Sequence, residues 1–185
     1  MKTTIIVLGM VLISASTAAQ RQDYDHKLGV RFFAGRGGYV GISPDYHPAY
    51  TIGLQYIKKL RRPNWGFSAG LNLASLRIAT SRDVITYRHL QLPLAMRLEH
   101  RGLYLEGGVY ADYLVMVNSG QSAFTPLDPA RKPSLGFNFG GGYEASFSDK
   151  ILAFLEFRYL GSLISGQAYR GFRSYGLAIG LNYKF

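Results

Sequence analysis

TYRHLQLPLAMRLEHRGLYLEGGVYADYLVMVN, residues 86–118, is two long stretches of alternating character joined at His100-Arg101-Gly102. In the first, Leu90, Leu92, Leu94, Met96 and Leu98 share one parity, and His89, Gln91, Pro93, Ala95, Arg97 and Glu99 share the other. In the second, Leu103, Leu105, Val109, Tyr113 and Val115 alternate with Tyr104, Glu106, Tyr110 and Asp112. A period of two places successive side chains on opposite faces of an extended strand and does not fit a helix. Strands in soluble domains average about five or six residues. These runs are far longer and suit tilted strands that cross a bilayer and continue past it. The leucine face then meets lipid, and the charged face lines a narrow interior.

The alternation recurs on both sides of this hairpin. Strands are expected over 28–35, 49–60, 65–76, 134–147, 151–163 and 173–185. The last is the most regular: Tyr175, Leu177, Ile179, Leu181, Tyr183 and Phe185 alternate with Gly176, Ala178, Gly180, Asn182 and Lys184. With the hairpin the count is eight. Short connections at 61–64, 100–102 and 148–150 alternate with long ones at 36–48, 77–85, 119–133 and 164–172. The expected fold is therefore all-β, an eight-stranded antiparallel transmembrane β-barrel of outer-membrane type, with short periplasmic turns and long external loops. Closure removes the edges that such apolar strands would otherwise expose. Both ends fall in the periplasm, with Trp65, Tyr104, Tyr143, Tyr183 and Phe185 near that side. A soluble lipocalin-type barrel is the alternative; it would turn the apolar face inward and the charges out. Pro93 lacks a ladder N–H, so a local bulge or missing bond is expected there, with the alternation in phase on either side.

The beginning of the chain reads as an export signal. Lys2, the apolar run Ile5–Ile13 and the small residues up to Ala19 have the form of a secretory signal peptide, giving 1–19 as signal, 20–27 as a short periplasmic tail and 28–185 as the barrel. Removing Lys2 with the signal lowers the formal net charge from +10 to +9. With no cysteine there is neither a disulfide nor a thiolate metal site. His26, His47, His89 and His100 have no metal-ligand spacing. Gly136–Gly142 lacks the Lys-Ser/Thr of a phosphate loop and reads as small inward residues. Neither a cofactor nor nucleic acid is expected.

Leu90-Gln-Leu-Pro-Leu-Ala-Met-Arg97, Gly102-Leu-Tyr-Leu-Glu-Gly-Gly108 and Tyr110-Ala-Asp-Tyr-Leu114 resemble the core of the PorT-like outer-membrane β-barrel proteins of Bacteroidetes. Gly140-Gly-Gly-Tyr-Glu144, Phe157-Arg-Tyr159 and Tyr183-Lys-Phe185 are similar to that family's later strands, so the resemblance spans about 28–185. It implies the same barrel. One member of the family serves in gliding and type IX secretion, so envelope or secretion proteins are implied as partners. Another group of eight-stranded barrels modifies lipid A, its deacylase type through a His-x-Ser pair; here Leu90-Gln91 follow His89. No enzyme activity is expected.

Two sets of charges remain. Arg31, Arg97, Glu99, Glu106, Asp112, Glu144, Glu156, Arg158 and Lys184 all take the inward parity. They are expected to pair across strands, Arg97 with Glu106, and Glu144 and Glu156 sharing Arg158, so that they plug the barrel. Arg36, Arg77, Arg82, Arg88, Arg131, Lys132, Arg170 and Arg173 are expected at the external rim, against Asp45, Asp83 and Asp128, where lipopolysaccharide phosphates lie. The functional expectation is a small, monomeric, non-enzymatic outer-membrane barrel with a filled interior, a structural, interaction or secretion-associated component. A narrow pore is the alternative, and a lipid A-modifying enzyme a further one.

Overall fold

The computed structural model describes residues 24–40, 47–62, 64–79, 84–119, 133–164 and 170–185; the expected signal peptide lies outside them. Its elements are eight strands: β1 (His26–Val40), β2 (His47–Lys59), β3 (Trp65–Ala79), β4 (Val84–His100), β5 (Leu103–Ser119), β6 (Ser134–Ser146), β7 (Ile151–Ile164) and β8 (Arg170–Lys184). Each pairs antiparallel with the next, and β8 returns to β1, so the sheet is a closed barrel. At the foot of the closing seam His26 and Phe185 exchange backbone hydrogen bonds of 3.3 and 3.1 Å.

The tight turns follow from local chemistry. Arg101 and Gly102 both have positive φ, 50° and 84°, closing a two-residue loop between His100 and Leu103. Such a loop matches the right-handed twist of the strands that it joins. Asn64, at φ 71°, serves the β2–β3 turn, where Leu60 N–H donates to the Trp65 carbonyl at 2.8 Å. In the β6–β7 turn Ser148 Oγ accepts from Ile151 N–H at 3.1 Å.

The burial pattern is that of a membrane barrel. Outward positions such as Leu92, Ile52 and Leu177 are exposed, whereas Arg97, Lys27 and Glu156 are buried completely. The lipocalin alternative required the reverse. Strands also run beyond the apolar belt. β1 starts at 26 and ends at 40, not 28 and 35, and β3, β4 and β5 reach into the stretches read as loops. Hydropathy marks only the bilayer-spanning part; a neighbour that continues the ladder keeps polar residues such as Arg36 and Arg77 extended.

Pro93 behaves as its missing N–H requires. On the β5 side it pairs with Tyr110 in unbroken register. On the β3 side the pairing stops after Ala69↔Leu94 and resumes at Asn72↔Gln91, with the register unchanged. Bonds are lost without a bulge. A Cβ on Gly70 would stand 3.1 Å from Pro93 Cγ, so a residue without a side chain is what fits beside it. Register shifts occur elsewhere, at Tyr39/Val40, Arg88/His89 and Leu135/Gly136, all in the half next to the long connections.

The interior has two storeys. Toward the end with the long connections Phe33, Leu76, Ile78, Tyr110, Leu160 and Phe172 form an apolar cluster. Toward the end with the tight turns the lumen is charged. The sequence reading put Tyr110 on the inward face but expected no apolar storey. Inward positions above Asn72 in β3 are Ala74, Leu76 and Ile78, however, and the same change occurs in β1 above Arg31.

Candidate functional site

The lower lumen is built from two quartets of charge. In the lower one, Lys27 of β1 pairs with Glu99 (3.1 Å) and with Glu144, while Arg97 pairs with Glu99 (2.5 Å) and Glu144 (3.3 Å). Cation and anion alternate around a closed circuit. In the upper one, Arg31 of β1 reaches Glu156 (3.3 Å) and Glu106 (3.9 Å), and Arg158 pairs with Glu106 (2.7 Å) and Glu156. This circuit alternates as well. Four cations face four carboxylates, so the eight charges cancel. Seven of the eight are buried and Glu99 is partly so. Burial of this kind is tolerable only when each charge is paired and hydrogen-bonded.

Tyr104 joins the quartets. Its hydroxyl donates to Glu156 at 2.8 Å, and Arg97 lies 3.6 Å over its ring. Arg97 and Glu106 approach to 3.8 Å, an ion pair without a direct hydrogen bond. Asn182 donates to Glu144 at 2.6 Å and accepts from Gln55 Nε2 at 2.6 Å, tying in β8 and β2. Room for these groups comes from glycine. A Cβ on Gly142 would lie 2.9 Å from the Tyr104 hydroxyl, and one on Gly140 3.2 Å from Glu156 Cδ. The expectation that Gly136–Gly142 supplies small inward residues is met at these positions.

Tyr24, just before β1, closes the mouth at the end with the tight turns. Its hydroxyl donates to Glu99 at 2.5 Å, and Lys27 Nζ lies 3.8 Å from its ring centre. Burial, and then the Glu99 carboxylate beside it, pushes the Tyr24 hydroxyl above its ordinary pKa, which keeps the proton for this bond.

Several expectations need correction. Glu144 does not share Arg158; it goes to Lys27 and Arg97, because side chains cross the lumen and do not only face the next strand. Lys184 keeps the inward parity but is only partly buried at the barrel's end, outside both quartets. Asp112 is also apart, bound to His89 Nδ1 at 2.8 Å, with Phe172 stacked on the imidazole and Ser134 donating to the carboxylate at 3.4 Å. The last residues of the expected tail belong to the site: Lys27 is in β1 and fully buried. Of the rim set, Arg36, Arg77, Arg88 and Arg173 are exposed on their strands and Arg170 opens β8; Arg82, Arg131 and Lys132 lie outside the described residues.

Lys27 and His89 were missed for different reasons. Lys27 precedes the first apolar outward residue, so composition ended the barrel too early, although its parity matches Arg31. The His89–Asp112 contact is diagonal, next to the shift at Arg88/His89, and no spacing in the sequence reveals it. Among the described residues no group of three or more His, Asp or Glu side chains is placed to hold a metal ion.

No family model and no curated protein sequence matches the chain. Solved structures do. Neisserial surface protein A superposes with a TM-score of 0.59 at 10% identity, covering 87% of this chain and 97% of that one. Ail, the attachment invasion locus protein of Yersinia pestis, gives 0.52 at 12% identity, covering 88% and 99%. At such identities the likeness is one of fold. With its outward apolar belt, the chain has the closed eight-stranded architecture of small bacterial outer-membrane β-barrels.

Proposed function

We propose that the protein is a small, non-enzymatic outer-membrane barrel with a sealed lumen, an envelope component that acts through the surfaces it presents at the two membrane faces. The observation that carries this reading is the pair of closed charge quartets. A conducting pathway needs a continuous wetted lining; here the eight charges pair with one another across the lumen, and an apolar cluster lies above them. Eight strands enclose an interior that side chains can fill. The His89–Asp112 pair supports the non-enzymatic side, since the imidazole is buried under Phe172 and lacks the His-x-Ser pattern. Within this class, the PorT-like motifs favour a secretion-associated or envelope-maintenance role.

The test is conductance. Wild-type protein refolded into planar bilayers is expected to show no steady current at moderate voltage. A steady, voltage-independent current would overturn the sealed-lumen reading and favour a narrow pore. Crosslinking in native envelopes, followed by identification of the captured proteins, then tests the interaction role.

A further inference from the structure

Arg36, Arg77, Arg88 and Arg173 share more than exposure. Each takes the lipid-facing parity of its strand, and each lies just past the apolar belt. In β1 the outward series is Leu28, Val30, Phe32, Ala34, then Arg36. In β8, read upward, it is Tyr183, Leu181, Ile179, Leu177, Tyr175, then Arg173. In β4 Leu98, Met96, Leu94, Leu92 and Leu90 lead to Arg88, and in β3 Leu71, Leu73 and Ser75 lead to Arg77.

The register gathers them. Arg36 pairs with Tyr175 and Arg173 with Gly38, so these two arginines are diagonal neighbours across the β1–β8 seam. Arg77 pairs with Thr86 and Arg88 with Ser75, the same diagonal across β3–β4. Side chains so related lie about 7–8 Å apart. Between the two pairs stands β2, whose outward Pro48 is opposite Arg36. Ala49 of β2 pairs with Leu76, which brings Arg77 to the level of Pro48. Arg36 and Arg77 are thus two strand spacings apart, about 10 Å. The four form an arc over β8, β1, β2, β3 and β4.

Among the described residues the arc is one-sided and meets no acidic side chain. Among the described residues, the outward positions of β5, β6 and β7 carry no charged side chain. No described acidic residue lies on the outer wall at this end; Asp25 and Asp149 are periplasmic, and the others point into the lumen. Among the described residues none of the four arginines makes an ion pair. A merely solvated rim has no need to collect like charges on half its circumference. Like charges so close repel unless an anion lies among them. The guanidinium fork matches phosphate in two hydrogen bonds.

We propose that this arc is a binding site for a phosphorylated glycolipid of the outer leaflet. Its phosphates sit among Arg173, Arg36, Arg77 and Arg88, and its acyl chains lie down the belt below, over Tyr50, Ile52 and Phe32. The site rests on the barrel standing in the outer membrane but not on its lumen being sealed, so a conducting protein would leave it intact.

The test uses the full chain, refolded in zwitterionic detergent, with purified lipopolysaccharide as probe and the same lipid after enzymatic dephosphorylation as comparison. Binding is read by native mass spectrometry and by lipid co-elution. The wild type should hold the phosphorylated lipid and lose most of that affinity when the phosphates are removed, a comparison that needs no variant. Replacing all four arginines by Gln should weaken binding by about a hundredfold or more, given that each basic group near a lipid headgroup contributes separately. Replacing the exposed periplasmic Lys58, Arg61, Arg62 and Lys150 by Gln removes the same charge from the other end and should leave binding nearly unchanged. Equal loss in both quadruple variants, or equal binding of the dephosphorylated lipid, overturns the site.

Discussion

Glu144→Gln is the most direct probe of the paired interior. Glu144 is 2% exposed and accepts from Lys27 Nζ, Arg97 Nη2 at 3.3 Å and Asn182 Nδ2 at 2.6 Å. The amide keeps the shape but removes the charge and turns an NH2 group toward one of three donors. The lower quartet then holds two cations against Glu99 alone. Two charge-assisted hydrogen bonds are worth about 1.5–3 kcal/mol each, and removing one partner of a buried pair typically destabilises by about 3–5 kcal/mol. The expected loss is therefore about 3–5 kcal/mol. Urea unfolding in phospholipid vesicles can be followed through Trp65, the single tryptophan, which stands on the outer face at the foot of β3. For slopes typical of small proteins the midpoint should fall by about 1 M or more. Lys27→Met in the same background removes the stranded cation and should restore at least half of the loss, whereas Lys27→Met alone should be damaging. A wild-type midpoint for Glu144→Gln, or fully additive losses in the double variant, would refute the quartet.

Three further outcomes are expected. Ile52→Arg, at a position 61% exposed in the middle of the belt, should destabilise the inserted barrel by about 2–4 kcal/mol, seen as a lower urea midpoint in vesicles but unchanged far-ultraviolet circular dichroism at zero urea. Gly142→Ala puts a methyl against the Leu155 carbonyl oxygen and 2.9 Å from both the Tyr104 hydroxyl and Glu156 Cα, so overpacking of about 3 kcal/mol should appear as earlier loss of heat-modifiable gel mobility. Trypsin added to intact cells should cut only after Arg82 in the β3–β4 connection and after Arg131 in the β5–β6 connection; cleavage after Arg61 or Arg101 would invert the topology.

The fold was legible because a transmembrane strand writes its two faces into alternate residues. Leu90 to Leu98 against His89 to Glu99 is enough to orient β4, and the structure keeps every one of those parities. Parity tells which face a side chain takes but not how far it reaches. Arg97 and Glu106 do sit opposite each other in the register, yet their closest approach is 3.8 Å, while Arg97 bonds more tightly to Glu99 two residues along its own strand. Glu144 bypasses the neighbouring β7 for cations on β1 and β4. In a lumen this narrow the nearest partner is set by side-chain length and by tilt, neither of which is written as a spacing. The strand ends were hidden for another reason: backbone pairing continues where hydropathy has already stopped.

The distribution of the quartets over the strands links electrical balance to chain closure. Lys27 and Arg31 both belong to β1, the strand that seals the barrel against β8. Without β1 the lower quartet holds Arg97 with Glu99 and Glu144, and the upper holds Arg158 with Glu106 and Glu156. Each then carries one negative charge too many. An unclosed sheet of β2 to β8 is thus an anion in two places, and the arrival of β1 brings one cation to each. Zipping the seam and discharging the interior are a single event, so a half-open barrel is penalised by unpaired backbone at its edges and by two unquenched carboxylates within it. The first strand works as an electrostatic latch.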